Sequence, residues 1–326
     1  MDWSNILSNA VGELLSPTTA AYALAAIGLG IHFGYTGLLN FGQAAYMLLG
    51  AYAFAIPTIS LGWPIWAAVL CVIVVSIVFS FILGVPTLRL RADYLAIVTI
   101  ASAEILRYIV TTTGLTPVTG AANGLNGFKG TFAAINPIPD GTYGFGPFTY
   151  NAYDWWTRIV GWGLVILATL LVWALMRSPW GRVVRGIRED EDAVRSLGKN
   201  VFAYKMQALI TGGLLGSLAG IIFILPRAVQ PANYTTGLTF FIWTIMLLGG
   251  AATIFGPIVG AMIFWVVLSL TQGILYGASE SGAITFLSTT QAGQLRFIIV
   301  GIALMLLVVF RPQGIFGNKK ELSFSA

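Results

Sequence analysis

Apolar residues run along this chain in long blocks broken by short polar or glycine-rich interruptions, not in strict alternation. Residues 63–88, for example, include no charged side chain. A barrel strand would alternate polar with apolar positions over about ten residues, whereas a helix crossing a bilayer needs about 20 predominantly apolar ones. The pattern predicts an all-α integral membrane protein with about nine transmembrane helices. These fall at residues 18–35, 41–61, 64–88, 94–113, 159–176, 206–225, 238–250, 256–272 and 295–310. The seventh block is short and Gly249–Gly250 follows it, so blocks seven and eight are expected to pair as a hairpin. The small residues of GGAATIFGPIVGA and its Pro257 suit a tight or re-entrant corner there.

One region is interrupted from within. In GYTGLLNFGQAAYMLLGAY, residues 34–52, Gly34, Gly37 and Gly42 break an apolar stretch, and Asn40 and Gln43 place amides in it. Backbone that leaves helical pairing inside a bilayer persists only where it is buried in protein or lines a water-filled cavity. Two readings stay open. The segment lines a substrate path, with His32, Asn40 and Gln43 as candidates, or its glycines serve close helix packing. A second polar feature is AEILRY, residues 103–108, where Glu104 and Arg107 lie three apart on one helix face. Ionisable groups within a span are costly and face the interior in pairs. Here they are a structural ion pair or part of a translocation path.

Composition narrows the class. Of 326 residues, 57% are hydrophobic and 9% charged, with a mean hydropathy of +0.85. Soluble domains carry about 25% charged residues, so an ordinary soluble fold is excluded. One histidine, His32, rules out a multi-histidine metal site, and the single cysteine, Cys71, sits in an apolar run as a packing residue. The net charge of +5 signals sidedness rather than a nucleic-acid partner. Two basic residues lie at Arg89 and Arg91, seven between Arg177 and Lys205, and three at Arg311, Lys319 and Lys320. Lys129, Arg158, Arg227 and Arg296 fall on the opposite side, and Arg107 lies inside a span. The larger set marks the cytoplasmic side, which puts the C-terminus inside and the N-terminus outside. The first 17 residues lack Lys and Arg and include Asp2 and Glu13, so no cleavable signal peptide is expected. The longest outside segment, 114–157, is rich in Gly, Asn, Thr, Pro and aromatic residues, a composition that builds ordered turns. It is read as a cover over the outer face or as a contact for a delivered substrate or its carrier.

The most charged stretch, GIREDEDAVRSLGKN at residues 186–200, lies within the inner segment 177–205. Pro179 ends the preceding span. Glu189, Asp190, Glu191 and Asp192 suit the positive end of a short helix. Ala193, Val194 and Leu197 supply a small apolar stripe, and Gly198 a stop, with Lys199 beyond it. An acidic cluster beside an apolar stripe suits a protein partner.

Asp192-Ala193-Val194, three residues, then Gly198 resembles the Glu-Ala-Ala…Gly pattern of the coupling segment in ABC importer permeases. GYTGLLNFGQAAYMLLGAY, LRLRADYLAIVTIASAEILRY, SPWGRVVRGIREDEDAVRSLG, GGAATIFGPIVGA and FRPQGIFG follow in order. Together they resemble the branched-chain amino acid importer permease family, in its LivM-like branch, over about residues 20–317. Members often carry Ser and His where this chain has Asn40 and Gln43, and a related branch serves urea and short amides. The resemblance implies one permease domain, residues 1–326, in a bacterial inner membrane, with a fold similar to the large vitamin B12-type importer permeases. It implies as partners a homologous second permease, two cytoplasmic ABC ATPases and an extracytoplasmic solute-binding protein. It assigns ATPase coupling to Arg188, Glu189, Asp190, Glu191, Asp192, Ala193, Val194, Leu197 and Gly198. No Gly-x-x-x-x-Gly-Lys-Ser/Thr motif occurs, so ATP and Mg are expected on partner subunits, with no cofactor on this chain and no enzymatic activity of its own. A stand-alone secondary transporter would need coupling-ion residues in the spans, where Glu104 is the sole candidate.

Overall fold

The computed structural model describes residues 2–89, 92–280, 289–311 and 313–317. Arg91, Lys319 and Lys320, with most of the tail 311–326, lie outside the described residues. The chain opens with a helix that the hydropathy pattern does not single out, α1 (Trp3–Glu13). Asp2 starts it by accepting hydrogen bonds from the Ser4 and Asn5 N–H groups at 3.1 and 3.2 Å. Its Ile6 and Ala10 are buried, while Trp3, Leu7 and Val11 point outward. A bend of 40° separates α1 from α2 (Pro17–Leu29) with its π-helical continuation Gly30–Tyr35. After an irregular stretch come α3 (Gln43–Ser60), α4 (Ile65–Thr87) and α5 (Ala92–Thr111).

The segment between α5 and the next long helix is ordered. It holds short turns, the one-turn helices α6 (Thr116–Thr119) and α7 (Lys129–Ala133), and the strands β1 (Thr142–Phe145) and β2 (Phe148–Asn151). The strands pair antiparallel, Thr142 opposite Asn151, a small departure from the all-α expectation. Phe128 and Phe132 are buried beneath this cover, and Phe128 meets Phe54 of α3 edge-on. α8 (Ala152–Arg177) starts ahead of the apolar block 159–176, because Asn151 caps it by accepting from the Asp154 N–H at 2.7 Å. α9 (Pro179–Glu189) and α10 (Glu191–Ser196) follow at the far end of α8. The fold finishes with α11 (Val201–Ile224), α12 (Thr236–Gly249), α13 (Gly256–Glu280) and α14 (Thr289–Phe310).

Every predicted block thus coincides with a helix. Among the described residues, five helices are long and apolar enough to cross a bilayer: α4, α5, α8, α11 and α13. The bent pair α1–α2 raises this to six. α12, at 14 residues, is a shorter apolar helix, and it forms the expected hairpin with α13.

α11 is the hub, packed against α2, α3 and α4. In its apolar window 72% of residues are buried, against 22% in α5. Lipid tails are as apolar as leucine, so helices in a bilayer associate through close packing and hydrogen bonds. The contacts follow that rule. A Cβ on Gly50 would collide with the Ser217 carbonyl, and one on Gly220 with the Met47 carbonyl, so α3 and α11 touch backbone to backbone. Ser217 donates to Ser76 Oγ at 3.1 Å, and Tyr46 and Ser80 hydroxyls meet at 3.0 Å, which ties α4 to both. The stretch after α14 closes against the end of α12. Ile315 and Phe316 donate their N–H groups to the Leu248 and Gly249 carbonyls at 2.9 and 3.0 Å. They thereby satisfy carbonyls that the end of α12 leaves open.

Replacing Gly220 by Val should destabilise the protein by about 3 kcal/mol, since neither backbone can retreat. Gly163→Ala, where added bulk meets nothing within 4 Å, should be neutral. Thermal unfolding of the two variants in detergent checks the contrast.

Candidate functional site

Between the π-helical turn and α3, residues 36–42 have no regular structure although they lie inside the helix bundle. Gly37 is at φ +75°, a conformation that favours glycine. Each backbone group here needs a partner, because the bilayer core offers no water. The partners come from several elements. Thr99 of α5 accepts from the Phe41 N–H at 3.0 Å, Asn40 Oδ1 from the Gly42 N–H at 2.7 Å, and Thr239 of α12 from the Ala44 N–H at 3.0 Å. The Asn40 carbonyl accepts from Trp243 Nε1–H at 3.0 Å, and the Gly34 carbonyl accepts from Arg188 of α9. Gly34 itself lies against the Ala251 carbonyl in the α12–α13 turn, where a Cβ would not fit.

His32, Asn40 and Gln43 meet at the centre of this break, each with no exposed surface. His32 Nε2 lies 3.1 Å from the Leu209 carbonyl, which can only accept, so Nε2 carries the proton. Nδ1 is then an acceptor and takes a bond from Asn40 Nδ2 at 3.0 Å. The second Asn40 N–H points to Gln43 Oε1 at 3.4 Å, and Gln43 Nε2 donates to the Ala25 carbonyl at 3.2 Å. Of the five residues expected along a substrate path, the structure brings these three together. In this conformation their polar atoms hold α2, α3 and α11 together.

The α9–α10 pair grips the break from outside the bundle. Pro179 occupies the first turn of α9, where a missing N–H costs nothing. Val184 and Ile187 bury one face, and Arg188 reaches in to Gly34. Asp190, extended at φ −152°, caps α10 through the Asp192 and Ala193 N–H groups, both at 3.0 Å. Glu191 and Asp192 then stand at the positive end of α10 and bond Arg195 at 2.9 Å each, while Glu191 also pairs with Lys205 of α11. Gly198 at φ +74° ends the unit.

The structure divides the expected apolar stripe. Val194 is buried against Ile187 and Val201, so it belongs to the chain's own packing rather than to an outward surface. Ala193 is exposed, and Leu197 is 78% exposed. Val194 and Leu197 are three apart, but Leu197 is the C-cap of α10, where the backbone has left the helical conformation at ψ 12°. Glu189 and Asp190 are exposed as well. A cavity of about 210 Å³ lies between α10 and the break, lined by Thr36, Gly37, Thr87, Arg188, Glu191 and Lys205.

Glu104 and Arg107 stand apart from the break. Arg107 Nη2 is 2.6 Å from Glu104 Oε2, and Glu104 Oε1 accepts from the Thr236 hydroxyl at 2.8 Å and its N–H at 3.3 Å. The carboxylate thus caps the positive end of α12 from a neighbouring helix. Sequence reasoning did not pick out Thr99, Thr239, Trp243 or Thr236. The available signal was a hydroxyl or indole among several in each apolar helix, such as Thr239 beside Thr236 and Thr244 in α12, which periodicity alone cannot rank.

A family model described as "Branched-chain amino acid transport system / permease component" matches residues 15–309. The chain is 29% identical over 312 residues to the high-affinity branched-chain amino acid transport system permease protein LivM of Salmonella typhimurium, covering 92% of this chain and 69% of that protein. It is 25% identical over 338 residues to the probable branched-chain amino acid transport permease protein LivM of Methanocaldococcus jannaschii, covering 91% of each. The solved structure of PsaBC from Streptococcus pneumoniae in complex with Fab aligns over 94% of this chain and 92% of that chain, with a TM-score of 0.47 and 15% identity.

Asn40→Leu would strip partners from the Gly42 N–H and from His32 Nδ1 in a fully buried site. A loss of about 3 kcal/mol is expected, with Thr99→Val losing less because one N–H is orphaned. Unfolding midpoints of the purified variants measure both.

Proposed function

This chain belongs to the family of permease components of branched-chain amino acid transport systems, and from that premise we propose that it is one permease half of an ATP-driven importer for branched-chain or related amino acids. It forms a single multi-pass domain in a bacterial inner membrane, with about nine spans in the manner of the vitamin B12-type permeases. The inner segment 177–205 and the tail 311–326 are cytoplasmic, and 114–157 and the N-terminus lie outside, as the basic residues suggest. A homologous second permease completes the path. Two ABC ATPases carry ATP and Mg on the cytoplasmic face, and a solute-binding protein delivers the ligand to the outer cover.

What supports this reading most is the pair α9–α10, which offers an outward surface and an inward grip in one compact unit. The exposed Glu189, Asp190, Asp192, Ala193 and Leu197 form the face for an ATPase. Glu191, Val194 and Gly198 hold that face in shape, Glu191 through Lys205 and Val194 through Ile187. Movement of α10 is carried to α9, and through Arg188 to the Gly34 carbonyl and the broken segment. His32, Asn40 and Gln43 keep the break paired in the resting conformation, and the α5 face with Glu104 and Arg107 borders the path.

The roles separate by mutation in the importer reconstituted with its partner subunits. Leu197→Asp should reduce ATPase copurification at least tenfold while the permease folds normally. Val194→Asp, which puts a charge into the α9–α10 core, should instead lower permease yield and thermal stability. Arg188→Met should leave the ATPases bound but lower solute uptake per ATP hydrolysed. Normal ATPase binding by Leu197→Asp, or uptake by this chain in liposomes without ATPases, would sink the reading.

A further inference from the structure

α5 is the least buried of the five candidate spans. Tyr94, Ile97, Ala101, Ile105 and Tyr108 form an exposed stripe along it at helical spacing. Glu104 and Arg107 edge that stripe, with side chains 29% and 19% exposed. The outward face of α4 is different. Leu70, Val74, Val78, Phe81, Ile82 and Val85 are exposed there, and α4 has no charged residue. A hydrocarbon face of that kind suits lipid. A partly exposed carboxylate and guanidinium on a candidate span do not, because ionisable groups within a span face a polar or aqueous neighbour.

We propose that Glu104 and Arg107 receive the two charged ends of an amino-acid solute, the ammonium on Glu104 and the carboxylate on Arg107. The proposal deepens the amino acid permease reading and rests on it. The geometry suits an exchange of partners. Glu104 Oε1 is anchored by Thr236, while Oε2 is held by Arg107. When Arg107 turns to the solute carboxylate, Glu104 keeps its anchor and frees Oε2 for the ammonium. The pair is neutral when empty, the solute is neutral overall, and two ion pairs replace one. No uncompensated charge enters the membrane at any stage. Arg107 lies over the Tyr108 ring at 4.6 Å, and with Ile105 that ring offers an apolar wall for an aliphatic side chain. Urea or a short amide would bring no charge to either group.

The test is the full importer in liposomes, with binding-protein-dependent leucine uptake and binding-protein-stimulated ATP hydrolysis read in parallel. Glu104→Gln retains an oxygen for Thr236, and Arg107→Gln removes the cation. Each should lower leucine uptake about tenfold or more, as loss of a charge-assisted bond does, while stimulated ATP hydrolysis stays within about twofold. The double variant E104Q/R107Q, whose amides can still bond one another, should remain as defective as the single variants. Recovery of uptake in the double variant means that the pair is structural and overturns the proposal. Unchanged uptake in both single variants overturns it too, as does wild-type transport of urea in place of leucine. Wild-type protein that shows no ATP-dependent uptake with its partners would instead defeat the underlying permease reading.

Discussion

Inside a bilayer a peptide group has no water to bond, so a chain that stops being helical there must find a partner for its polar backbone groups. The fold is arranged around that requirement at residues 36–42. Thr99 brings α5 to the break, Thr239 and Trp243 bring α12, and Arg188 brings α9. The His32–Asn40–Gln43 cluster joins the break to α2 and α11. Elements far apart in sequence are therefore held in register by the hydrogen bonds of one short irregular segment. A displacement of any of them changes the pairing at the break.

The α9–α10 unit shows how a small charged region is made compact by its own chain. Its Arg195 ion pairs are largely exposed and add little to stability, while the less exposed Glu191–Lys205 pair ties α10 to α11. The Asp190 cap, the Gly198 stop and the Val194–Ile187–Val201 contact add to that tie. Leu197 is left outside at a protein surface that is otherwise charged, and an isolated large apolar residue in such a place is suited to a partner's pocket.

Much of the fold was legible because hydropathy acts locally. Nine apolar blocks became helices, the hairpin of α12 with α13 followed from Gly249–Gly250, and the stop at Gly198 from its position after the charged turn. α1 was missed because its apolar face is a narrow stripe, Trp3, Leu7 and Val11, on a helix that also carries polar residues. The β-hairpin was missed because turn chemistry in 114–157 permits many local shapes. Val194 was read as outward because apolar spacing on one short helix does not say which neighbour covers it.

The sequence by itself determined that the chain lives in a membrane, where its helices run, where the main break falls and which family it resembles. These depend on residue type and spacing, and each is decided within one or two turns of chain. Tertiary structure alone decided that Arg188 meets the Gly34 carbonyl, that Glu104 caps α12 as well as pairing with Arg107, and that His32, Asn40 and Gln43 are enclosed. Those facts join residues up to 154 positions apart. They follow from how close the glycine contacts let the helices approach, a property that no local pattern encodes.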